Sequence, residues 1–115
     1  MKIKDLEIGY LFDFYGELLS VRQREIFSLY YNEDLSLSEV AEQVGITRQG
    51  VRDTVKKAEE QLVSLEEALG LAARFGEISK KSDGIIKKLE KIKASQTDLT
   101  ELDEIISEVR GLAEL

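Results

Sequence analysis

Leu37-Ser38-Glu39-Val40-Ala41-Glu42-Gln43-Val44-Gly45-Ile46-Thr47-Arg48-Gln49-Gly50-Val51-Arg52-Asp53-Thr54-Val55-Lys56-Lys57 has the spacing of two helices joined by a tight turn. Ala41 is the small residue where the helices approach, and Gly45 is the turn glycine. Ile46 and Val51 are the apolar brackets. Ser36-Leu37-Ser38-Glu39 is a capping box that opens the first of these helices, and Gly45 suits the left-handed residue that ends it. Thr47 is placed to cap the second, which the pattern carries to about Leu69. A helical wheel separates two faces on that second helix. With Arg48 as origin and about 100° per residue, Arg52, Lys56, Gln49 and Asp53 fall within about 140°. Val51, Val55, Ala58 and Leu62 fall on the opposite side.

Those two faces suit different jobs. Arg48, Gln49 and Arg52 carry the donors that match guanine and adenine edges, and Asp53 can accept from cytosine N4. Lys56 and Lys57 suit phosphates, as do Thr47 and the amides beside it at a helix N-terminus. Arg22 and Arg24, on the preceding helix, are further candidates for backbone contact.

Working outward, Leu6–Tyr15 repeats apolar residues at helical spacing, with Gly16 as its stop. Ser20-Val21-Arg22-Gln23 is another capping box and opens a helix to about Asn32. After Gly70 an apolar seam at alternating steps of four and three runs through Leu71, Phe75, Ile78, Ser82, Ile85, Leu89 and Ile92. A linker, Ala94-Ser95-Gln96-Thr97, precedes a last helix from about Asp98. Its stripe is Leu99, Leu102, Ile106, Val109 and Ala113. The fold expected is all-α: a helix-turn-helix domain over residues 1–69, and a helical extension over 70–115 that packs on it or mediates dimerisation.

Composition narrows the functions. The 115 residues contain no Cys, His or Pro. Disulfides and thiolate chemistry are therefore absent, as are histidine bases and histidine–zinc sites. No cofactor is expected, and neither is catalysis: Glu59-Glu60 and Glu66-Glu67 are adjacent and diverge around the helix, and no glycine-rich phosphate loop is present. No apolar run reaches about 18 residues, so no membrane partner is expected. The start, Met1-Lys2-Ile3-Lys4-Asp5, lacks a signal-peptide core, so the expected location is cytoplasmic.

Net charge is −7, but its distribution is uneven. Residues 70–95 hold seven basic and three acidic side chains, while 96–115 hold one and six. Lys80, Lys87, Lys88 and Lys91, with Lys81 alongside, cluster on one arc opposite the apolar seam. Two readings stand: a solvated outer face, or a contact for RNA or an acidic protein. The length of the helices and the heptad seams favour a homodimer, whose two-fold symmetry would bring two reading helices to successive half-sites.

Residues 18–58 resemble region 4 of bacterial sigma factors, which binds the −35 promoter element. The continuation Thr47-Arg48-Gln49-Gly50-Val51-Arg52-Asp53, followed by the Lys56-Lys57 pair and the heptad tail, is similar to the small YlxM-like helix-turn-helix proteins, and that resemblance covers nearly the whole chain. It implies a bacterial, all-helical, sigma-region-4-like protein. It also implies gene linkage to the signal recognition particle GTPase, with a regulatory or accessory role in that pathway. Two functions follow as expectations: a DNA-binding regulator, or an adaptor for signal recognition particle components that does not depend on DNA.

Overall fold

The computed structural model describes residues 6–95 and 100–113. Its elements in order are α1 (Leu6–Tyr15), a 3-10 turn (Gly16–Leu18), α2 (Val21–Tyr31), α3 (Leu37–Val44), α4 (Arg48–Leu69), α5 (Leu71–Ala94) and α6 (Thr100–Ala113). Among the described residues there is no strand, so the all-α expectation holds. Among the described residues no helix is long and apolar enough to cross a membrane. The chain divides into two compact units, residues 1–72 and 73–115.

Local chemistry fixes the helix ends of the first unit. The Ser20 hydroxyl accepts from the Gln23 amide at 3.1 Å, and the Gln23 side chain accepts from the Ser20 amide at 3.0 Å. Ser36 and Glu39 repeat the arrangement at the start of α3, at 3.1 and 2.9 Å. Each box satisfies two donors that a helix N-terminus leaves without partners. Gly45 ends α3 at φ 81°, where a Cβ would strain the backbone, and its amide donates to the Ala41 carbonyl at 2.9 Å. That left-handed residue turns the chain into α4.

α4 is the hub, packing against α1, α2 and α3. Its buried line is the one expected: Val51, Val55, Ala58 and Leu62. Val51 and Val55 join Ile26, Leu29, Val40 and Ala41 in one cluster. Ala58 and Leu62 join Ile8, Leu11, Tyr15, Leu19, Phe27 and Ala72 in another. Two apolar clusters along one helix hold the helix-turn-helix rigidly against α1 and α2.

A polar clamp closes the α4–α5 junction. The Tyr15 hydroxyl donates to Glu66 Oε1 at 2.5 Å and accepts from the Leu71 amide at 3.1 Å. Glu66 Oε1 also accepts from the Ala72 amide at 3.0 Å. A carboxylate in the last turn of α4 opposes that helix's dipole, but here it caps the first turn of α5, where negative charge is favourable. Burial pushes the Tyr15 phenol above its ordinary value, and the Glu66 carboxylate pushes the same way, while the Leu71 amide partly opposes them. A raised phenol stabilises the fold fully below the unfolded value of about 10, and loses that contribution as pH rises through the folded value. Denaturant midpoints measured from neutral to alkaline pH should therefore fall more steeply above about pH 10 for the wild type than for Tyr15→Phe. Parallel curves would show that the clamp does not couple to titration.

In the second unit the seam residues Ile78, Ile85 and Ile92 are 45, 49 and 48% exposed. Ser82 and Ile86 are buried, with Phe75, Ser79 and Leu89 half-buried. Two adjacent isoleucines, Ile85 and Ile86, allow the stripe to be phased either way, and spacing alone does not choose between them. On α6, Ile106 is buried, and Leu102 and Val109 are half-buried, as expected. The expected start at Asp98, the residues Gln96, Thr97 and Leu99, and the Ala113 side chain lie outside the described residues. α5 and α6 are joined by ion pairs between Lys93 and Asp103, and between Arg110 and Glu90 at 2.8 Å.

Candidate nucleic-acid interface

Thr47 caps α4 through a 2.9 Å hydrogen bond from the Gly50 amide to its hydroxyl. Arg48, Gln49, Arg52, Asp53, Lys56 and Lys57 are all exposed on α4, while Val51, Val55, Ala58 and Leu62 are buried. The wheel drawn from sequence therefore describes this surface. Two details were not drawn. The Gln49 side-chain amide donates to Asp53 Oδ1 at 2.9 Å, so the carboxylate is spent on a neighbour one turn away. Thr54 turns its hydroxyl back to the Gly50 carbonyl at 2.8 Å.

Arg52 and Lys56 also border a cleft of about 480 Å³ between α2, α3 and α4, lined further by Tyr30, Tyr31, Leu37, Val55 and Glu59. The Tyr31 hydroxyl is hydrogen-bonded to Glu59 across it. Burial, with the Glu59 and Asp34 carboxylates nearby, raises the Tyr30 phenol above its ordinary value. This cleft was not foreseen. Only the recurrence of Arg52, Lys56 and Glu59 on one side of α4 hinted at it.

Arg22 and Arg24 are placed differently. Gln23, between them, hydrogen-bonds to Gln61, thirteen residues beyond Arg48 and so about 20 Å further along α4. Arg24 is half-buried and lines a depression with Phe12, Asp13, Phe14, Gly16 and Glu17. Its surroundings are α1 and the following turn. Arg22 is exposed. Lys80, Lys81, Lys87, Lys88 and Lys91 are all exposed on α5.

Charge along α4 is polarised. Residues 48–57 carry Arg48, Arg52, Lys56 and Lys57 against one carboxylate, Asp53, while 58–69 carry Glu59, Glu60, Glu66 and Glu67 and no cation. There is no acidic residue in the first turn and no basic residue in the last. At the two ends, where the dipole acts, this is the reverse of what it favours: Arg48 lies in the first turn and Glu66 and Glu67 in the last. Glu66 has its compensation in the α5 cap and Glu59 in Tyr31. Among the described residues, Arg48, Arg52, Lys56 and Lys57 form no ion pair.

Residues 2–105 match the model of the UPF0122 family, described as "Putative helix-turn-helix protein, YlxM / p13 like". The chain belongs to this family. A UPF0122 protein of Thermoanaerobacter sp. (strain X514) is 49% identical over 106 residues, covering 91% of this chain and 90% of the relative. One from Halalkalibacterium halodurans is 41% identical over 99 residues, covering 86% and 87%. One from Bacillus pumilus is 35% identical over 109 residues, covering 95% and 96%. The family is thus matched across the helix-turn-helix, all of α5 and the first six residues of α6, and the YlxM resemblance stands.

Gly50 can be judged from geometry. A Cβ there would meet Thr47 Oγ1 at 3.1 Å and Ile46 Cδ1 at 3.5 Å. Gln23 and Glu39 occupy the equivalent position in their own caps and carry a Cβ beside a capping hydroxyl. The site therefore adjusts by a few tenths of an ångström. Gly50→Ala should raise stability by about 0.5–1 kcal/mol, the helix preference of alanine, read as a higher denaturant midpoint with unchanged slope. A lower midpoint would mean that the Thr47 cap cannot yield.

Proposed function

We propose that this protein is a cytoplasmic, non-catalytic DNA-binding regulator that reads the major groove with the first three turns of α4. The observation that carries this reading is the reversed charge of α4. Fold stability disfavours cations at a helix N-terminus, and phosphate contact favours them. Arg48 and Arg52 are the base-reading residues, with Gln49 able to join once its bond to Asp53 opens. Lys56, Lys57 and the amides capped by Thr47 take phosphates, and Arg22 lies further along as an outer contact. The protein acts as a homodimer, so that two α4 helices meet successive half-sites. Regulation of genes of the signal recognition particle pathway fits the family resemblance.

The test is fluorescence anisotropy against duplex fragments from upstream of its own operon at about 150 mM salt, where non-specific binding is weak. One fragment bound far more tightly than the rest supports the reading, and uniform background binding overturns it. A second reading is favoured by the exposed Lys80, Lys81, Lys87, Lys88 and Lys91: an adaptor whose α5 face meets an acidic protein or RNA, the signal recognition particle GTPase being the protein to try. An adaptor would be indifferent to changes at Arg48 and Arg52 and sensitive to changes at those lysines.

A further inference from the structure

The ion pairs Arg110–Glu90 and Lys93–Asp103 fix α5 and α6 as an antiparallel hairpin. Glu90 and Arg110 each lie about 40° to one side of the buried isoleucine of their own helix, Ile86 or Ile106. Ile78, Ile85, Ile92, Ile105 and Leu112 lie about 80–120° to the other side of that residue. In an antiparallel pair, rotation of the same sense on both helices leads to the same face. All five aliphatic side chains therefore share one face of the hairpin, opposite the Arg110–Glu90 ion pair. They are between 44 and 55% exposed, and they recur every seven residues on each helix. A monomeric protein rarely leaves so continuous an apolar row in water.

The flanks of this face say what fits it. Along the outer edge of the α5 row lie Lys81 and Lys88, both exposed, and along the outer edge of the α6 row lies Glu108, also exposed. The face is thus basic on one margin and acidic on the other. Two copies can stack face to face about a two-fold axis in two ways. If each α5 lies on the other α5, lysine margins meet and repel. If each α5 lies antiparallel on the other copy's α6, the lysine margin meets the glutamate margin on both sides. The same register then brings Ile92 to Ile105 and Ile85 to Leu112.

We propose that a second copy of this chain covers this face, forming a four-helix bundle in which each α5 packs on its partner's α6, with Lys88 beside Glu108 across the interface. The proposal rests on the homodimer reading above and gives it a surface, but it does not depend on DNA being bound. The interface is isologous, so each contact occurs twice.

Sedimentation velocity of the full chain over a range of concentrations tests it, with circular dichroism to check helix content. The wild type should be dimeric. Ile85→Glu/Ile92→Glu, at half-exposed positions, should stay helical and weaken the dimer at least about a hundredfold by placing charge in an apolar interface. Lys88→Glu or Glu108→Lys alone should weaken it about tenfold, and the double swap should recover that loss. A monomeric wild type overturns both the surface and the homodimer. A dimeric wild type with an equally dimeric Ile85→Glu/Ile92→Glu overturns the surface and leaves the homodimer standing. Failure of the double swap to recover overturns the pairing of α5 with α6. A monomeric wild type removes the two-half-site geometry but leaves reading by a single α4 to the anisotropy assay, so DNA binding and this surface are tested by different measurements.

Discussion

Replacing Phe27 with alanine should destabilise the helix-turn-helix unit by about 3–5 kcal/mol. Phe27 is completely buried, and its ring stacks on Phe12 at 4.5 Å and on Tyr31 at 4.2 Å between centroids. It lies in the cluster of Ala58 and Leu62, where α1 and α2 close on α4. Truncation removes the transfer energy of the ring, leaves a cavity that rigid helices fill poorly, and breaks two aromatic contacts worth about 0.5–1.5 kcal/mol each within that total. A domain has about 5–15 kcal/mol of net stability, so the loss is a large share of the whole. Chemical denaturation followed by circular dichroism reads it directly. A loss under about 1 kcal/mol would mean that the cluster around Phe27 is not tightly packed.

The second large effect is on binding. Arg48→Ala/Arg52→Ala should raise the Kd for the preferred DNA fragment at least about thirtyfold, since each base-reading arginine contributes about 1–3 kcal/mol. Both side chains are exposed, and removing the Arg48 charge relieves its conflict with the helix dipole, so fold stability should not fall. That separation makes the variant informative. Loss of binding with a denaturation midpoint no lower than that of the wild type assigns the effect to the interface. Lys56→Ala/Lys57→Ala should act otherwise, weakening all sequences alike and flattening the salt dependence.

The parts of this architecture legible in the sequence are those written within a few residues of one another. Ser20 with Gln23, Ser36 with Glu39, and Gly45 after Val44 each announce a helix end, because the groups that satisfy it are three or four positions apart. The buried and exposed faces of α4 were legible for the same reason. Contacts between residues distant in sequence were not. The clamp of Tyr15 on Glu66 joins positions 51 apart, and neither residue differs in pattern from an ordinary core tyrosine or surface glutamate. The cleft beside Arg52 needs α2, α3 and α4 together. On α5 the period was legible but its phase was not, because Ile85 and Ile86 serve two adjacent rows equally well. That one-residue choice decides whether Ile78, Ile85 and Ile92 face the core or solvent, and they face solvent. In the candidate interface, residue types were legible and their pairing was not: Gln49 and Asp53 were read as two separate reading groups, and they bond to each other.

Whether the first three turns of α4 meet nucleic acid is decided by a salt titration of anisotropy on the preferred fragment and on a shuffled duplex of equal length, with the wild type and the two double variants. Arg48→Ala/Arg52→Ala should abolish the preference for the fragment over the shuffled duplex. Lys56→Ala/Lys57→Ala should keep the preference while the slope of log K against log salt becomes shallower by about 2. Variants that bind both duplexes as the wild type does, with the same slope, would contradict that contact and move the binding surface away from α4.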